Sequence, residues 1–277
     1  MSAPPLRTAI SDTYPNPSNA TARTGFGVLW DYVTSFAFGQ CRLVKSAGNI
    51  VLQRFNGLWL TINGVVQSIP SAGVSLAATG LTPGTAYNIY AYWTGSAIAL
   101  EASTTAHATD TNTGVEIKSG DATRTLVGKA QPITGPAWAD TDNQRFVISW
   151  FNRRPIRIYN KNTSAPSTTS TTPVQLVSLM EFLTWGDSDV PASFTGAVAH
   201  NTLNGIAYTA LGLDSGSGFS HAPVTYQAYA VSSQGAAAGG TTFFPSEGYH
   251  YIYTLGQVSG GTGTWQVNLE MSGTVQG

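Results

Sequence analysis

Short apolar runs separated by turn residues dominate the chain between residues 49 and 103. The runs are divided by two Asn-Gly pairs, at residues 56–57 and 63–64. Asparagine and glycine tolerate the positive φ angles that both central positions of a type I′ turn require, so each pair predicts a tight hairpin. The pattern therefore predicts a β-meander, whose three strands are residues 50–55, 58–62 and 65–69.

A tyrosine corner is predicted after the meander. Residues 81–87 contain Leu81, a Pro-Gly turn and Tyr87, which is the arrangement that enters a late strand of immunoglobulin-like sandwiches. Residues 87–93 then supply that strand. The stretch from residue 49 to residue 103 resembles the second half of a fibronectin type III or related module, which implies an antiparallel β-sandwich.

The first part of the chain is predicted to be an extended arm, over residues 1–24. Its prolines, at positions 4, 5, 15 and 17, forbid a helix and disfavour a strand ladder. An arm with so little apolar material is expected to be held by a neighbouring subunit, or alternatively to lie back on its own domain. Residues 25–44 alternate aromatic and small side chains, which predicts one or two strands that join the meander.

Residues 25–161 are predicted to form one immunoglobulin- or fibronectin-like β domain. Within it, residues 115–118 and 123–129 are expected to pair with each other, and residues 145–151 are expected to pair with residues 156–159. A linker follows at residues 162–173, because this Ser/Thr/Pro-rich segment has no large apolar residue to bury.

Residues 174–277 are predicted to form a C-terminal sandwich or jelly roll, because short alternating segments recur between Gly, Ser and Pro. Residues 174–185 are apolar on both faces, which favours a fully buried strand. A short helix is the alternative, because Thr172 and Pro173 could begin one. The predicted fold class is thus all-β: two antiparallel β-sandwich domains, immunoglobulin/fibronectin-like and jelly-roll-like, with an extended N-terminal arm.

Charge and composition narrow the classes of function. Only 10% of the residues are charged and the formal net charge is −1, against about 25% charged residues in ordinary soluble domains. No overall field would attract nucleic acid or an anionic membrane. No apolar run reaches the roughly 18 residues of a membrane span, and the first ten residues lack the apolar core of a signal peptide. Synthesis in a cytoplasm is expected.

No constellation in the sequence predicts catalysis, a cofactor or a zinc site. The lone Cys41 is expected to be a buried thiol, and the four histidines lack metal-ligand spacing. Residues 110–116 carry a fragment of a calcium loop beginning at Asp110, which turn-forming Asp and Asn explain equally well. Two aspartate pairs could serve a glycosidase, although each lies beside a turn; they are Asp140 with Asp142 and Asp187 with Asp189.

Five of the thirteen basic residues fall within seventeen positions with no acidic residue between them. Arginine suits carboxylates and phosphates, so the cluster predicts either a contact with an acidic partner or anionic glycan, or a solvated sheet edge. The residues are Arg145, Arg153, Arg154, Arg157 and Lys161.

Tyr249, Tyr251 and Tyr253 recur at every second position, so in a strand they share one face. A row of tyrosines can stack on sugar rings or line an interface between subunits, and the interface is the preferred interpretation.

The segments 110–117, 148–153 and 247–265 resemble those of tailed-bacteriophage fibre and virion-surface proteins. The resemblance rests on short segments of small and aromatic residues, and it assigns no catalytic residue to this chain. It implies a β-rich homo-oligomer, often trimeric, in the tail or on the capsid, with the arm bound to other virion proteins. The expected function is therefore a non-enzymatic structural role with host-surface attachment. The alternatives are a carbohydrate-binding module that uses the tyrosine row, and a glycoside hydrolase.

Overall fold

The computed structural model describes residues 39–277, and every regular element in that range is a β-strand. No helix within it is long and apolar enough to cross a bilayer. The predicted all-β fold class, with antiparallel sheets in sandwich-like arrangements, is confirmed. The predicted arm at residues 1–24, and the strand positions predicted between residues 25 and 38, lie outside the described residues.

The N-terminal unit, as named here, contains β1 to β12 and β14. A three-stranded sheet has the order β1-β2-β5, and a larger sheet has the order β7-β6-β10-β9-β8 with β14 also paired to β10. The small pairs β3-β4 and β11-β12 complete the unit. The strands are β1 (Cys41–Ser46), β2 (Asn49–Arg54), β3 (Trp59–Ile62), β4 (Val65–Ser68), β5 (Val74–Leu76), β6 (Tyr87–Trp93), β7 (Ile98–Ser103), β8 (His107–Thr109), β9 (Glu116–Lys118), β10 (Asp121–Ala130), β11 (Pro132–Ile133), β12 (Ala137–Trp138) and β14 (Val147–Ser149).

One of the two predicted Asn-Gly hairpins is present. β3 and β4 pair across Asn63 and Gly64, whose φ angles of 52° and 72° suit a type I′ turn. Asn56 and Gly57 also have positive φ, but β2 pairs with β1 and β5 and not with β3. The three-stranded meander is therefore wrong, and the first Asn-Gly pair turns the chain from one sheet into another.

The tyrosine corner is confirmed. The Tyr87 hydroxyl oxygen accepts a hydrogen bond of 3.0 Å from the backbone N–H of Thr82. The predicted pairing of residues 115–118 with residues 123–129 is also confirmed, as β9 against β10. Side chains of the two main sheets form the apolar core of the unit, with Leu52, Ile89 and Val127 fully buried.

The C-terminal unit contains β13 and β15 to β26. A five-stranded sheet has the order β13-β17-β24-β20-β21, and two four-stranded sheets have the orders β15-β26-β18-β23 and β16-β25-β19-β22. The strands are β13 (Gln144–Arg145), β15 (Pro155–Lys161), β16 (Ser167–Thr168), β17 (Val174–Thr184), β18 (Val190–Thr195), β19 (Ala197–His200), β20 (Ile206–Leu213), β21 (Val224–Gln227), β22 (Gln234–Ala236), β23 (Gly239–Phe243), β24 (Gly248–Val258), β25 (Gly263–Trp265) and β26 (Glu270–Gln276).

Val174–Thr184 is a strand, so the helical alternative is wrong. It pairs along β24 and places Met180 and Phe182 in the core of the C-terminal unit with no exposed surface. The core is closed by Trp265, whose indole N–H donates to the Thr209 hydroxyl at 2.7 Å. The strand is not buried on both faces as predicted, because Leu179 and Glu181 on its other face are only half-buried.

The predicted pairing of residues 145–151 with residues 156–159 is wrong. β14 pairs with β10 of the N-terminal unit, whereas β15 pairs over its whole length with β26. Within the predicted linker at residues 162–173, the short strand β16 pairs with β25. The predicted limits of the two domains, 25–161 and 174–277, stay a prediction.

A third apolar cluster joins the two units. Leu183 and Trp185, at the end of β17, pack with Tyr90, Leu126 and Ile148 of the N-terminal unit. All five side chains are essentially buried. Close packing of this kind holds two sheets in one relative position.

Candidate functional site

The three tyrosines of β24 share one face, as predicted, with Tyr249 exposed and Tyr251 and Tyr253 half-buried. Their neighbours His250 and Ile252 point to the opposite, buried face. The ring centroids of Tyr249 and Tyr251 are 6.3 Å apart, and those of Tyr251 and Tyr253 are 5.5 Å apart in an edge-to-face arrangement. The result is a continuous aromatic surface, called here the tyrosine row.

Two polar side chains fix one end of the tyrosine row. The Tyr249 hydroxyl donates to Glu181 Oε1 at 2.7 Å, and the Gln144 side-chain amide donates to Glu181 Oε2 at 2.8 Å. Burial and the bond to Glu181 raise the pKa of Tyr249, so its hydroxyl stays a donor. The ring also lies against buried Phe146, at 6.0 Å between centroids. The Tyr249 end of the row is therefore held in place before any partner arrives.

A groove opens beside this end of the row. Its volume is about 340 Å³, and its walls include the Pro83-Gly84 turn of the N-terminal unit and Gln144, Phe146 and Glu181 of the neighbouring strands. Aromatic and amide groups thus meet a carboxylate where the two units face each other. Such a combination can contact either a protein side chain or the hydroxyls of a sugar.

The basic residues grouped together in the sequence do not form one patch. Arg153 donates to both carboxylate oxygens of Asp187, at 2.6 and 2.9 Å, and its guanidinium lies over the ring of Trp150 at 4.4 Å. Arg145 donates from Nε to the Arg157 carbonyl and from Nη2 to Asp142. These arginines are committed to contacts within the chain.

Arg154 and Arg157 are available for external contacts. The Arg157 guanidinium stacks on the Tyr159 ring at 4.3 Å and faces a shallow groove of about 650 Å³ on the sheet that contains β15. Among residues 39–277, the Arg154 side chain has no hydrogen bond or ion pair. β15 is an edge strand, so both the docking and the edge-protection interpretations stay predictions.

The aspartates considered for a glycosidase pair are held by arginine side chains or lie at the surface. Asp140 and Asp142 both contact Arg145, whereas Asp187 binds Arg153. Burial raises the pKa of Asp140 to about 6, although Arg145 and Lys45 oppose that shift. Partial burial acts to raise the pKa of Asp187, but the Arg153 guanidinium outweighs it and the pKa is lowered.

The predicted calcium-loop fragment forms a turn that uses its own carboxylate. Asp110 accepts hydrogen bonds from the Asn112 backbone N–H at 3.2 Å and from the Thr113 hydroxyl at 2.6 Å. These bonds lower the pKa of Asp110. In the described range 39–277, no group of three or more His, Cys, Asp and Glu side chains is arranged to hold a metal ion.

The cysteine and the four histidines have separate environments. Cys41 lies buried in the core. Its burial raises the pKa of the thiol to about 12, so the thiol is unreactive. The His200 ring is buried and accepts from the Thr202 backbone N–H. His250 contacts Asp214, and His221 accepts from the Leu211 backbone N–H.

The fourth histidine belongs to a cluster that the sequence analysis missed. Trp150 and Trp185 meet edge to face at 4.9 Å between the units, and His107 lies 5.5 Å from the Trp150 ring. Lys129 lies 5.1 Å from the Trp185 ring and forms an ion pair with Glu247. We call these residues, with Arg153, the tryptophan junction. One sequence signal pointed to it, namely a lysine inside the apolar run of β10.

Comparisons with known proteins identify no family for this chain. No family model matches the sequence, and no curated protein matches it. A chain of the infectious bursal disease virus Gx strain structure is 13% identical with a TM-score of 0.29, over 69% of this chain and 53% of that one. This chain thus spans about half the length of that viral chain.

Two other solved structures give similar values. The infectious bursal disease virus VP2 subviral particle is 11% identical with a TM-score of 0.30, over 86% of this chain and 70% of that one. BuGH86 in complex with neoagarooctaose is 11% identical with a TM-score of 0.28, over 86% and 34%. At such TM-scores these likenesses support no conclusion about the function.

Proposed function

We propose that this chain is a non-enzymatic structural protein of a virus particle, displayed on the tail or capsid of a tailed bacteriophage. Two features support the proposal. The segments 110–117, 148–153 and 247–265 resemble those of phage virion-surface proteins, and the described chain is built entirely from β-sheets. In this function the protein works through contacts with copies of itself, with other virion proteins through the N-terminal arm, and with the host surface.

The observation that carries the proposal is the tyrosine row on a rigid sheet. Tyr249 is exposed on β24 and Tyr251 and Tyr253 are half-buried, whereas the reverse side of the same strand lies in the core. Tyrosine offers a large contact area and loses little side-chain entropy on binding, and aromatic residues are enriched in protein interfaces. Because Glu181 already holds the Tyr249 end of the row, binding there loses less side-chain entropy.

We assign the row to an interface between copies of this chain, with a trimer as the expected assembly. The three tyrosines lie along one face of β24, and half-buried Leu179 of the neighbouring strand β17 lies beside Tyr253 on the same face. Burying such a face would remove apolar ring surface from water, which stabilises association. The same face is continuous with the groove beside Glu181, which lets a neighbour extend its contact to Gln144.

The experiment is a native mass measurement on the purified full chain, together with its copy number per particle. We expect an oligomer that the double substitution Tyr251→Ser/Tyr253→Ser dissociates without changing the melting temperature of the subunit. Tyr229→Ser is the matched control, because Tyr229 is 77% exposed and lies outside the row. A wild-type protein that stays monomeric at micromolar concentration would contradict the proposal.

Carbohydrate binding is the second candidate, and a specific arrangement favours it. Glu181 and Gln144 place hydrogen-bonding groups directly beside an aromatic surface, which is how sugar hydroxyls and ring faces are recognised together. A glycan array probed with the monomeric chain separates the two candidates. Binding that is lost in Tyr251→Ser, with no oligomer at any concentration, would favour the carbohydrate-binding module.

A further inference from the structure

A small pocket lies where the two units meet, away from the tyrosine row. Its volume is about 110 Å³, and its lining includes Arg42 and Lys45 of β1, Asp140, and Arg154 next to β15. The backbone of Arg154 closes one side, because its N–H and C=O both pair with Gly277. Three cationic side chains, one carboxylate side chain and the main chain of Gly277 therefore surround a space of roughly three to four water molecules, at about 30 Å³ each.

The three cations keep unused hydrogen-bond donors. Arg42 donates from Nε and Nη2 to the Asn152 carbonyl and stacks on Phe55 at 3.8 Å, and its other N–H groups donate to no residue in the range 39–277. Lys45 uses one of its three protons on the Ala47 carbonyl. Arg154 uses none of its five side-chain N–H groups on residues 39–277. A pocket so rich in donors is suited to an acceptor with several oxygens.

The charges around the pocket are out of balance. Burial and the nearby Arg154 lower the pKa of Arg42, which is the effect of one cation on another. Among residues 39–277, Asp140 supplies the only carboxylate side chain in the lining, and its buried Oδ1 accepts no hydrogen bond but lies 3.7 Å from Arg145 Nη1 outside the pocket. Like charges brought together in a partly buried place are stabilised by an added anion.

We propose that this pocket binds a small oxyanion, such as inorganic phosphate or a carboxylate ion, through the side chains of Arg42, Lys45 and Arg154. Arginine presents a planar fork of donors that matches both kinds of oxyanion, and lysine adds a point charge. The pocket has room for a group of about five heavy atoms, since its volume equals that of roughly three to four water molecules. The proposal does not depend on the virion function.

The bound anion would join the two units. Arg42 and Lys45 belong to the sheet β1-β2-β5, whereas Arg154 precedes β15 of the C-terminal unit. A ligand that requires both units in place binds the native chain and not the unfolded one, so it raises the melting temperature in a saturable way.

The experiment titrates the full chain with sodium phosphate and, separately, with sodium acetate. Ionic strength is held constant with sodium chloride near neutral pH, while calorimetry and thermal melting follow binding. We expect saturable binding whose dissociation constant rises about ten- to a hundred-fold in Arg154→Gln, the equivalent of one charged hydrogen-bonding partner. Arg157→Gln is the matched control, since it removes an exposed arginine outside the pocket and should bind as the wild type does.

A second variant tests the site from the opposite direction. Asp140→Asn removes the negative charge and adds an amide donor, so it should bind either anion more tightly than the wild type. Binding of phosphate alone assigns a tetrahedral oxyanion, and binding of acetate as well extends the assignment to carboxylates. The proposal is overturned if neither anion binds saturably, or if Arg154→Gln and Arg157→Gln bind equally well.

Discussion

His107 Nε2 lies 3.2 Å from the carboxylate of Glu247, so a side chain of the N-terminal unit bonds to the residue that immediately precedes β24. The other ring nitrogen, Nδ1, lies 2.5 Å from Glu116 Oε2. Glu247 also pairs with the buried Lys129. One carboxylate therefore connects two basic groups of the N-terminal unit to the strand that carries the tyrosine row.

Replacing that carboxylate should weaken the joint between the units. Glu247→Gln leaves the Lys129 ammonium buried without an ionic partner, and an unpaired buried charge is costly. We expect the free energy of unfolding to fall by about 1–3 kcal/mol, as measured by urea denaturation near neutral pH. Glu101→Gln is the control, because Glu101 pairs with the more exposed Lys118 and Arg124 inside one unit. Equal losses in both variants would contradict the connecting role of Glu247.

The tryptophan junction should carry a large share of the packing between the units. Trp185 is 1% exposed and donates its indole N–H to the Ser149 carbonyl at 3.2 Å. Trp185→Ala should cost about 3–5 kcal/mol, because it opens a cavity and removes the aromatic contact with Trp150. Calorimetry would record the loss as a lower melting temperature.

A tryptophan outside the junction provides the comparison. Trp93, at the end of β6, is 40% exposed, so Trp93→Ala should cost well under half as much. Similar losses for the two substitutions would mean that the junction contributes no special stability.

Asp140 should make stability depend on pH. Burial raises its folded-state pKa to about 6, above the ordinary value, so the native state holds an extra proton between the two values. The stability that the Asp140 carboxyl contributes is therefore fully present below its ordinary pKa, and this contribution is lost as pH rises toward about 6. Asp140→Asn removes this dependence and should exceed the wild type in stability by roughly 1–3 kcal/mol above that window.

The measurement is the free energy of unfolding of both proteins in the absence of phosphate, at intervals from about pH 4 to about pH 8, which spans the shift of the carboxyl group. Curves that stay parallel across the whole interval would show that Asp140 ionises with the same pKa in the folded and unfolded chains.

Gly256 is required by close packing and not by its backbone angle. A Cβ at this position would lie 2.7 Å from the Trp265 ring and 2.9 Å from Leu176 Cδ2, both in the buried core. Gly256→Ala should therefore cost about 1–3 kcal/mol through overpacking. Gly48→Ala is the control, because nothing lies within 4 Å of a Cβ there. A neutral effect at residue 256 would mean that the indole can move aside.

The sequence alone determined the local elements. The Asn63-Gly64 hairpin, the Tyr87 corner and the alternation of Tyr249 with His250 all follow from preferences that act over a few residues. Turn geometry and the two-residue period of a strand are properties of the nearby chain, so they can be identified without knowledge of the fold.

Only the tertiary structure decided which strands pair and which charges meet. β15 pairs with β26, more than a hundred residues later, and Glu247 reaches His107 across 140 positions. Arg153 and Arg154 are adjacent in the chain, yet one binds Asp187 and the other faces a pocket. Pairing partners compete on small differences in packing and hydrogen bonding between distant segments, and a local sequence pattern does not record those differences.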